Sequence, residues 1–273
     1  MEPSVSAFSD NQSNRLWSIE RARSPLIGTA IHDGHLVWPH LLANMALDEA
    51  GRLREEDPFT AQFIADIPNR ITVFRSRFEL DLNRAPEEAI YLRPDQSWGL
   101  NVWHTPPGED DIAALMRQHA SYYSSLLHVL TDLETEHGGF VLLDMHSYNH
   151  RRAGPAALAT PQEDAPDINI GTASMDRARW APVLDPFIDA FRQHSVGGRP
   201  LDVRENVAFQ GRGEQTRFVH DHFPQTGCAI AVEFKKIFMD EWTGQPIEPV
   251  IAELRAALRA TLPVLEQSLG ARP

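Results

Sequence analysis

The sequence predicts an α/β fold: a single domain with a mixed, mostly parallel central sheet flanked by helices. Three observations lead there. Continuous apolar runs at Leu26–Ile31, Phe140–Met145 and Ala229–Phe234 read as strands buried on both faces. Segments of helical spacing separate those runs, the pattern of a sheet covered on both sides. At 273 residues the chain is long for one average domain and short for two, and a domain of this size buries most of its apolar surface without staples.

Taken in order, residues 1–24 are polar and lack apolar periodicity, so they read as a loose leader before a domain over 25–273. The first strand, Leu26–Ile31, ends in the polar loop His32-Asp33-Gly34-His35. Ile71–Phe74 reads as a second strand, which Ser76–Leu82 extends or follows. Asp110–Glu136 carries Ile112, Leu115, Met116, His119, Tyr122, Tyr123, Leu126, Leu127, Leu130 and Leu133 at helical spacing, and His137-Gly138-Gly139 ends that helix. After the buried strand at Phe140 come a helix over Trp180–His194 and the strand Ala229–Phe234. A terminal helix spans Pro249–Leu269, with Ile251, Leu254, Leu258, Leu262, Val264 and Leu265 near one face.

Lys plus Arg number 25 and Asp plus Glu 38, a formal net charge of −13. That balance argues against nucleic acid or an anionic membrane as partner and leaves a small molecule held by local arginines. No run of apolar residues is long enough for a membrane helix, and the N-terminus has no basic segment followed by an apolar core, so the cytoplasm is the expected setting. Cys228, in an apolar run, reads as a small buried hydrophobe.

Polar groups sit where the buried strands end: His32 after the first, Asp144 and His146 on the central one, Glu233 on the late one. Two imidazoles and a carboxylate are the usual protein ligands of catalytic zinc, with one position left open. The carboxylate could come from Glu55-Glu56-Asp57. At this level other readings stay open. A strand-end histidine is often a hydrogen-bonded structural residue, and an acidic triplet before proline is often a solvated turn. His32 with His35, or His220 with His222, could also supply a ligand pair. Gln210-Gly211-Arg212-Gly213 lacks the lysine of a phosphate loop, and Ser147 lacks the flanking glycines of a nucleophile elbow.

Five segments, in order, resemble the N-formylglutamate amidohydrolase family: His32-Asp33-Gly34, Asp81-Leu82-Asn83-Arg84-Ala85-Pro86, Asp144-Met145-His146-Ser147, Asp167-Ile168-Asn169-Ile170-Gly171-Thr172, and Val232-Glu233-Phe234 with Phe238-Met239-Asp240-Glu241. The resemblance implies a zinc carboxypeptidase-like fold, one zinc ion per chain, and hydrolysis of N-formyl-L-glutamate to L-glutamate and formate, with a place in histidine degradation. The chain departs from the family in Ile31, where a proline is usual, and in the extra His35. Its segment Glu56-Asp57-Pro58-Phe59 aligns in more than one way.

The expected ligands are therefore His32, His146 and Asp57, with Glu56 the alternative carboxylate. Glu233 is the expected general base, which later protonates the leaving amine. Its competing reading is a salt bridge to Lys235 or Lys236. Arg77 or Arg84 would stabilise the oxyanion. Asn83 and Arg84 would hold the substrate carboxylate, as an analogous pair does in zinc carboxypeptidases, with Arg212 and Arg217 the second choices. Asp144, two residues before His146 and on the same side of the strand, would orient that imidazole. Competing functions are a deacylase of another N-acyl amino acid or a carboxypeptidase on the same scaffold, a catalytically silent binding protein, and a serine-type hydrolase.

Overall fold

The computed structural model describes residues 15–271. In chain order the strands are β1 (Trp17–Glu20), β2 (Leu26–Ala30), β3 (Asn69–Val73), β4 (Phe140–Tyr148), β5 (Ile168–Gly171), β6 (Ser195–Val196), β7 (Arg199–Pro200), β8 (Val203–Glu205) and β9 (Gly227–Lys235). The helices are α1 (Pro39–Leu42), α2 (Glu49–Glu55), α3 (Thr60–Phe63), α4 (Glu109–His137), α5 (Arg177–Arg192), α6 (Glu214–His222) and α7 (Glu248–Gly270). Seven strands form one mixed sheet in the order β1-β3-β2-β4-β9-β5-β8, while β6 and β7 pair as a small hairpin. Strands β3, β2, β4 and β9 run parallel, β5 and β8 are parallel to each other, and β1–β3 and β5–β9 are the antiparallel pairs.

Alternation along the central strands feeds two core layers. Val141, Leu143 and Met145 of β4 and Ile230, Val232 and Phe234 of β9 pack with α5 and α7, through residues such as Trp180, Phe187, Leu254 and Leu258. Phe140 and Leu142 of β4 and Ala229 of β9 face the other way, toward Leu126, Leu130 and Leu133 of α4 and Val219 of α6. Helix α4 stops at Gly138, which takes φ +75° and donates its N–H to the Glu134 carbonyl, a left-handed turn that glycine adopts without a side-chain clash. The strands read as apolar runs and the three long helices lie where the spacing put them.

Three details differ from the sequence reading. Of the expected leader, residues 1–14 lie outside the described residues, but Trp17–Glu20 are an edge strand paired with β3 and not loose chain. Ser76–Leu82 forms turns instead of a strand, because the chain leaves the sheet after the single bridge from Arg75 to Leu36. The short strands β5 and β8 were not anticipated. Each carries too few residues for a period to show.

Candidate metal centre and catalytic cavity

In a parallel sheet, side chains at the carboxyl ends of the strands meet at one rim. Here that rim is polar. His146 on β4 is directly paired with Glu233 on β9, and both belong to the alternating set that faces α4 and α6. His32 follows β2, the other neighbour of β4. The loop after His32 approaches β3 so closely that a Cβ on Gly34 would lie 2.3 Å from the carbonyl carbon of Phe74. The turn between α2 and α3 brings in Asp57, whose N–H donates to the His32 carbonyl at 2.9 Å.

Asp57 Oδ2 lies 3.0 Å from His146 Nδ1 and 3.3 Å from His32 Nδ1, and the two imidazole centroids are 4.9 Å apart. One ligand atom from each of the three residues lies within 4.8 Å of the others, and all three are buried. His32 Nδ1 is buried without a hydrogen bond. Each imidazole turns its other nitrogen to a carboxylate: His32 Nε2 to Asp81 Oδ1 at 2.7 Å, and His146 Nε2 to Asp144 Oδ2 at 3.1 Å. Such carboxylate–histidine pairs set the tautomer and orientation of metal-bound imidazoles. Asp144 is itself held, accepting from Gln215 Nε2 at 2.5 Å and Thr29 Oγ1 at 3.2 Å.

The charges agree with that geometry. Burial alone would push Asp57 up, but His146 and His32 outweigh it and hold the carboxyl far below its ordinary range. Burial pushes His146 down, yet Asp144 and Asp57 hold it well above its ordinary value. Asp81, also opposed by burial, is kept well below the carboxylate range by Arg77 and His32. A field that favours positive charge on the buried His146 imidazole also favours a cation beside it. The orphaned His32 nitrogen and the two-imidazole, one-carboxylate donor set therefore fit a divalent ion of the zinc type.

Glu233 lines the same cavity and makes no hydrogen bond or ion pair with a described residue. Burial pushes its carboxyl up to about 7, against the pull of His146. The competing salt bridge is absent. Lys235 Nζ donates to Gln162 and Ala165 and pairs with Asp167, and Lys236 Nζ donates to the carbonyls of Arg54 and Glu56.

The cavity measures about 440 Å³. Arg77 donates to Asp81 at 2.9 Å and to the Tyr91 hydroxyl at 3.1 Å, and it stacks on Trp98. Asn83 Nδ2 is 3.3 Å from His146 Nε2. Arg84 donates to the Gln96 carbonyl at 2.9 Å and lies over Tyr91. Arg217 pairs with Glu214, whereas Arg212 makes no hydrogen bond or ion pair with a described residue. All five of these residues line the cavity.

Glu56 does not join the cluster. Its carboxylate accepts from Ser76 and meets His35 Nδ1 at 2.5 Å, so Glu56 and His35 satisfy each other away from the metal candidates. His220 and His222 lie on α6, bound to Ser174 and the Phe218 carbonyl respectively. Ser147 donates to Asp57 at 3.3 Å. Several cavity residues carried no role in the sequence reading, among them Asp81, Trp98, Tyr148, Asn149, Arg152 and Phe209, and Lys236 entered it only as a competing salt-bridge partner of Glu233. Only Asp81 had a usable signal, since it opens the segment containing Asn83 and Arg84.

A mixed sheet with a polar, arginine-lined cavity at the carboxyl ends of its parallel strands has the build of a hydrolase, and the family match makes it an amidohydrolase. Residues 24–239 match the family N-formylglutamate amidohydrolase, and the chain belongs to that family. Among solved structures it is similar to an N-formylglutamate amidohydrolase from Ralstonia eutropha JMP134, with 15% identity, 93% of this chain and 97% of that chain covered, and a TM-score of 0.69. It is also similar to a gene product from Agrobacterium tumefaciens, with 15% identity, coverage of 92% and 98%, and a TM-score of 0.56. A metallo-carboxypeptidase from Burkholderia cenocepacia matches at 16% identity over 89% of this chain and 57% of that one, with a TM-score of 0.35. No curated protein matches the sequence. No helix among the described residues is long and apolar enough to cross a membrane.

Proposed function

We propose that the protein is a metal-dependent amidohydrolase acting on the N-acyl amide of an acidic amino acid, with N-formyl-L-glutamate and water going to L-glutamate and formate. The observation that carries the reading is the buried cluster His32, Asp57 and His146 with the unpartnered Glu233 on the adjacent strand. His32, Asp57 and His146 would hold one zinc ion. When bound, a divalent cation supplies Lewis acidity, polarising an amide carbonyl and acidifying water.

The remaining work falls to side chains. Glu233 takes a proton from water and delivers it to the leaving nitrogen, a task suited to a carboxyl raised by burial. Arg77, braced by Asp81 and Tyr91, faces the charge that develops on the amide oxygen. Asn83 and Arg84 hold a substrate carboxylate, with Arg212 and Arg217 as further cations at the cavity wall. Asp144 and Asp81 keep the two imidazoles turned inward. The substrate is a small molecule, and a cytoplasmic setting belongs to the same proposal.

The test is metal analysis of purified protein together with hydrolysis of a panel: N-formyl-L-glutamate, its amide lacking free carboxylates, other N-acyl amino acids and short peptides. The proposal expects about one zinc per chain, from the usual single-site donor set, and a preference for the formylated acid. Equal efficiency on N-formyl-L-glutamate and its carboxylate-free amide would remove the arginines from recognition. Full activity without any metal would end the metal reading.

A further inference from the structure

The turn that carries Asp57 is short and irregular, and its peptides are anchored one by one. Asp57 N–H donates to His32, and the Glu56 N–H donates to Arg52 at the end of α2. Two carbonyls of this stretch, those of Arg54 and Glu56, are taken by a side chain from just past the end of β9. Lys236 Nζ donates to Arg54 O at 2.5 Å and to Glu56 O at 2.7 Å. Asn149 Nδ2 donates to Arg54 O at 2.9 Å.

Lys236 is only 1% exposed and follows the last residue of β9, three positions after Glu233. Its own N–H donates to Tyr148 O at the end of β4. One buried side chain therefore spans the strand end that presents Glu233 and the turn that presents Asp57. A buried ammonium normally needs a carboxylate partner, because burial of an isolated charge is costly. The hydrogen bonds of Lys236 Nζ go to two backbone carbonyls, the carboxylates of Asp57, Glu55 and Glu241 favour its charge from further off, and the residue lines the cavity.

We infer that Lys236 is a positioning residue: it ties the Glu55-Glu56-Asp57 turn to β9 and so sets the placement of Asp57 relative to Glu233. The inference rests on the proposed role of Asp57 as a metal ligand. It assigns Lys236 no contact with substrate. Its effect reaches the reaction through the turn, and removal loosens the ligand before it touches substrate binding.

The experiment compares wild-type protein with Lys236→Met and Lys236→Arg, each stripped of metal and then titrated with zinc(II) against a chromophoric chelator. Amide hydrogen exchange is followed on the metal-free proteins, where local opening of the turn is read directly. In Lys236→Met the amides of Glu55, Glu56 and Asp57 should exchange faster while those of β4 stay protected. Zinc affinity should fall roughly 10–100-fold, the range for groups that support metal ligands. Turnover on N-formyl-L-glutamate should fall with little change in KM, and Lys236→Arg, which keeps the charge and the donors, should recover part of both losses.

Unchanged exchange and unchanged zinc affinity in Lys236→Met would overturn the inference. A loss of turnover that Lys236→Arg does not recover at all, with the turn still protected, would do the same. If wild-type protein takes up no zinc, the metal reading fails on its own, and the exchange data still decide whether Lys236 holds the turn. If Lys236→Met does not fold, Lys236→Gln carries the comparison, since the shorter neutral amide loses the reach to both carbonyls.

Discussion

At their first residues, β4 and β9 bring Phe140 beside Gly227, with the Phe140 and Phe223 rings 5.1 Å apart edge to face. At their last residues the same two strands bring His146 opposite Glu233, with Ser147, Asp57 and Lys236 nearby. Backbone geometry is the same at both ends. What differs is the consequence of burial. At the phenylalanine end, removal from water is itself favourable. At the histidine end, removal from water is unfavourable until each charge has a partner. Most do: Asp57 with two imidazoles, Asp81 with His32 and Arg77, Asp144 with His146 and Gln215. Glu233 makes no hydrogen bond or ion pair with a described residue, and His32 Nδ1 and Asp144 Oδ2 are among the buried atoms without a hydrogen bond. These open groups gather at the carboxyl ends of β2, β4 and β9, where the proposed cation and substrate would sit.

Substitutions at the two ends should therefore separate stability from chemistry. The largest effect is expected from His146→Ala, which removes a proposed ligand and should lose both bound zinc and turnover. Full metal occupancy in that variant, measured by elemental analysis, would dissolve the contrast between the ends. Glu233→Gln should keep the metal and lose turnover by on the order of a hundredfold to ten-thousandfold, the usual range for a general base. A near wild-type rate would move the base elsewhere.

At the apolar end, Phe140→Ala should cost about 3–5 kcal/mol of stability, as other buried phenylalanine truncations do. Denaturant unfolding reads that cost, and turnover per folded molecule should stay as it was. At the cavity wall, Arg84→Lys keeps the charge but loses the planar fork. Its KM should rise roughly tenfold to a hundredfold, the equivalent of one charged hydrogen bond. A change confined to kcat would place Arg84 with the oxyanion instead.

The smallest effect concerns His220, outside both ends. Burial pushes its imidazole down to about 4 from an ordinary 6.5. Its Nε2 accepts the Ala229 N–H at 3.1 Å, which requires that nitrogen to be unprotonated. The unfolded chain takes up the proton first as pH falls, so this contribution is complete above about 6.5 and is lost down to about 4. His220→Gln cannot titrate, and its melting temperature should fall less than that of wild type between pH 7 and pH 5. Equal slopes would contradict the depressed imidazole.

Legibility in the sequence followed burial. The runs at Leu26, Phe140 and Ala229 announced strands because a strand covered on both faces needs apolar residues at nearly every position. Helix α4 announced itself through its spacing and closing glycine. Strands β1, β5 and β8 hold four, four and three residues, too short to show a period, and their pairing depends on partners distant in the chain. His32, His146 and Glu233 stood out because polar residues interrupt or end apolar runs.

By itself, then, the sequence determined the kind of sheet, the strand ends at which polar groups collect, and the family through its ordered motifs. It did not separate Glu56 from Asp57, since adjacent carboxylates carry no record of direction. The turn after α2 places them apart: Ser76 and His35 take Glu56, while Asp57, its N–H on the His32 carbonyl, lies beside the two imidazoles. Tertiary structure also decided the partners of the arginines and the place of Lys236. Lys236 finds its contacts 182 and 180 residues back along the chain, and nothing local in the sequence encodes that reach.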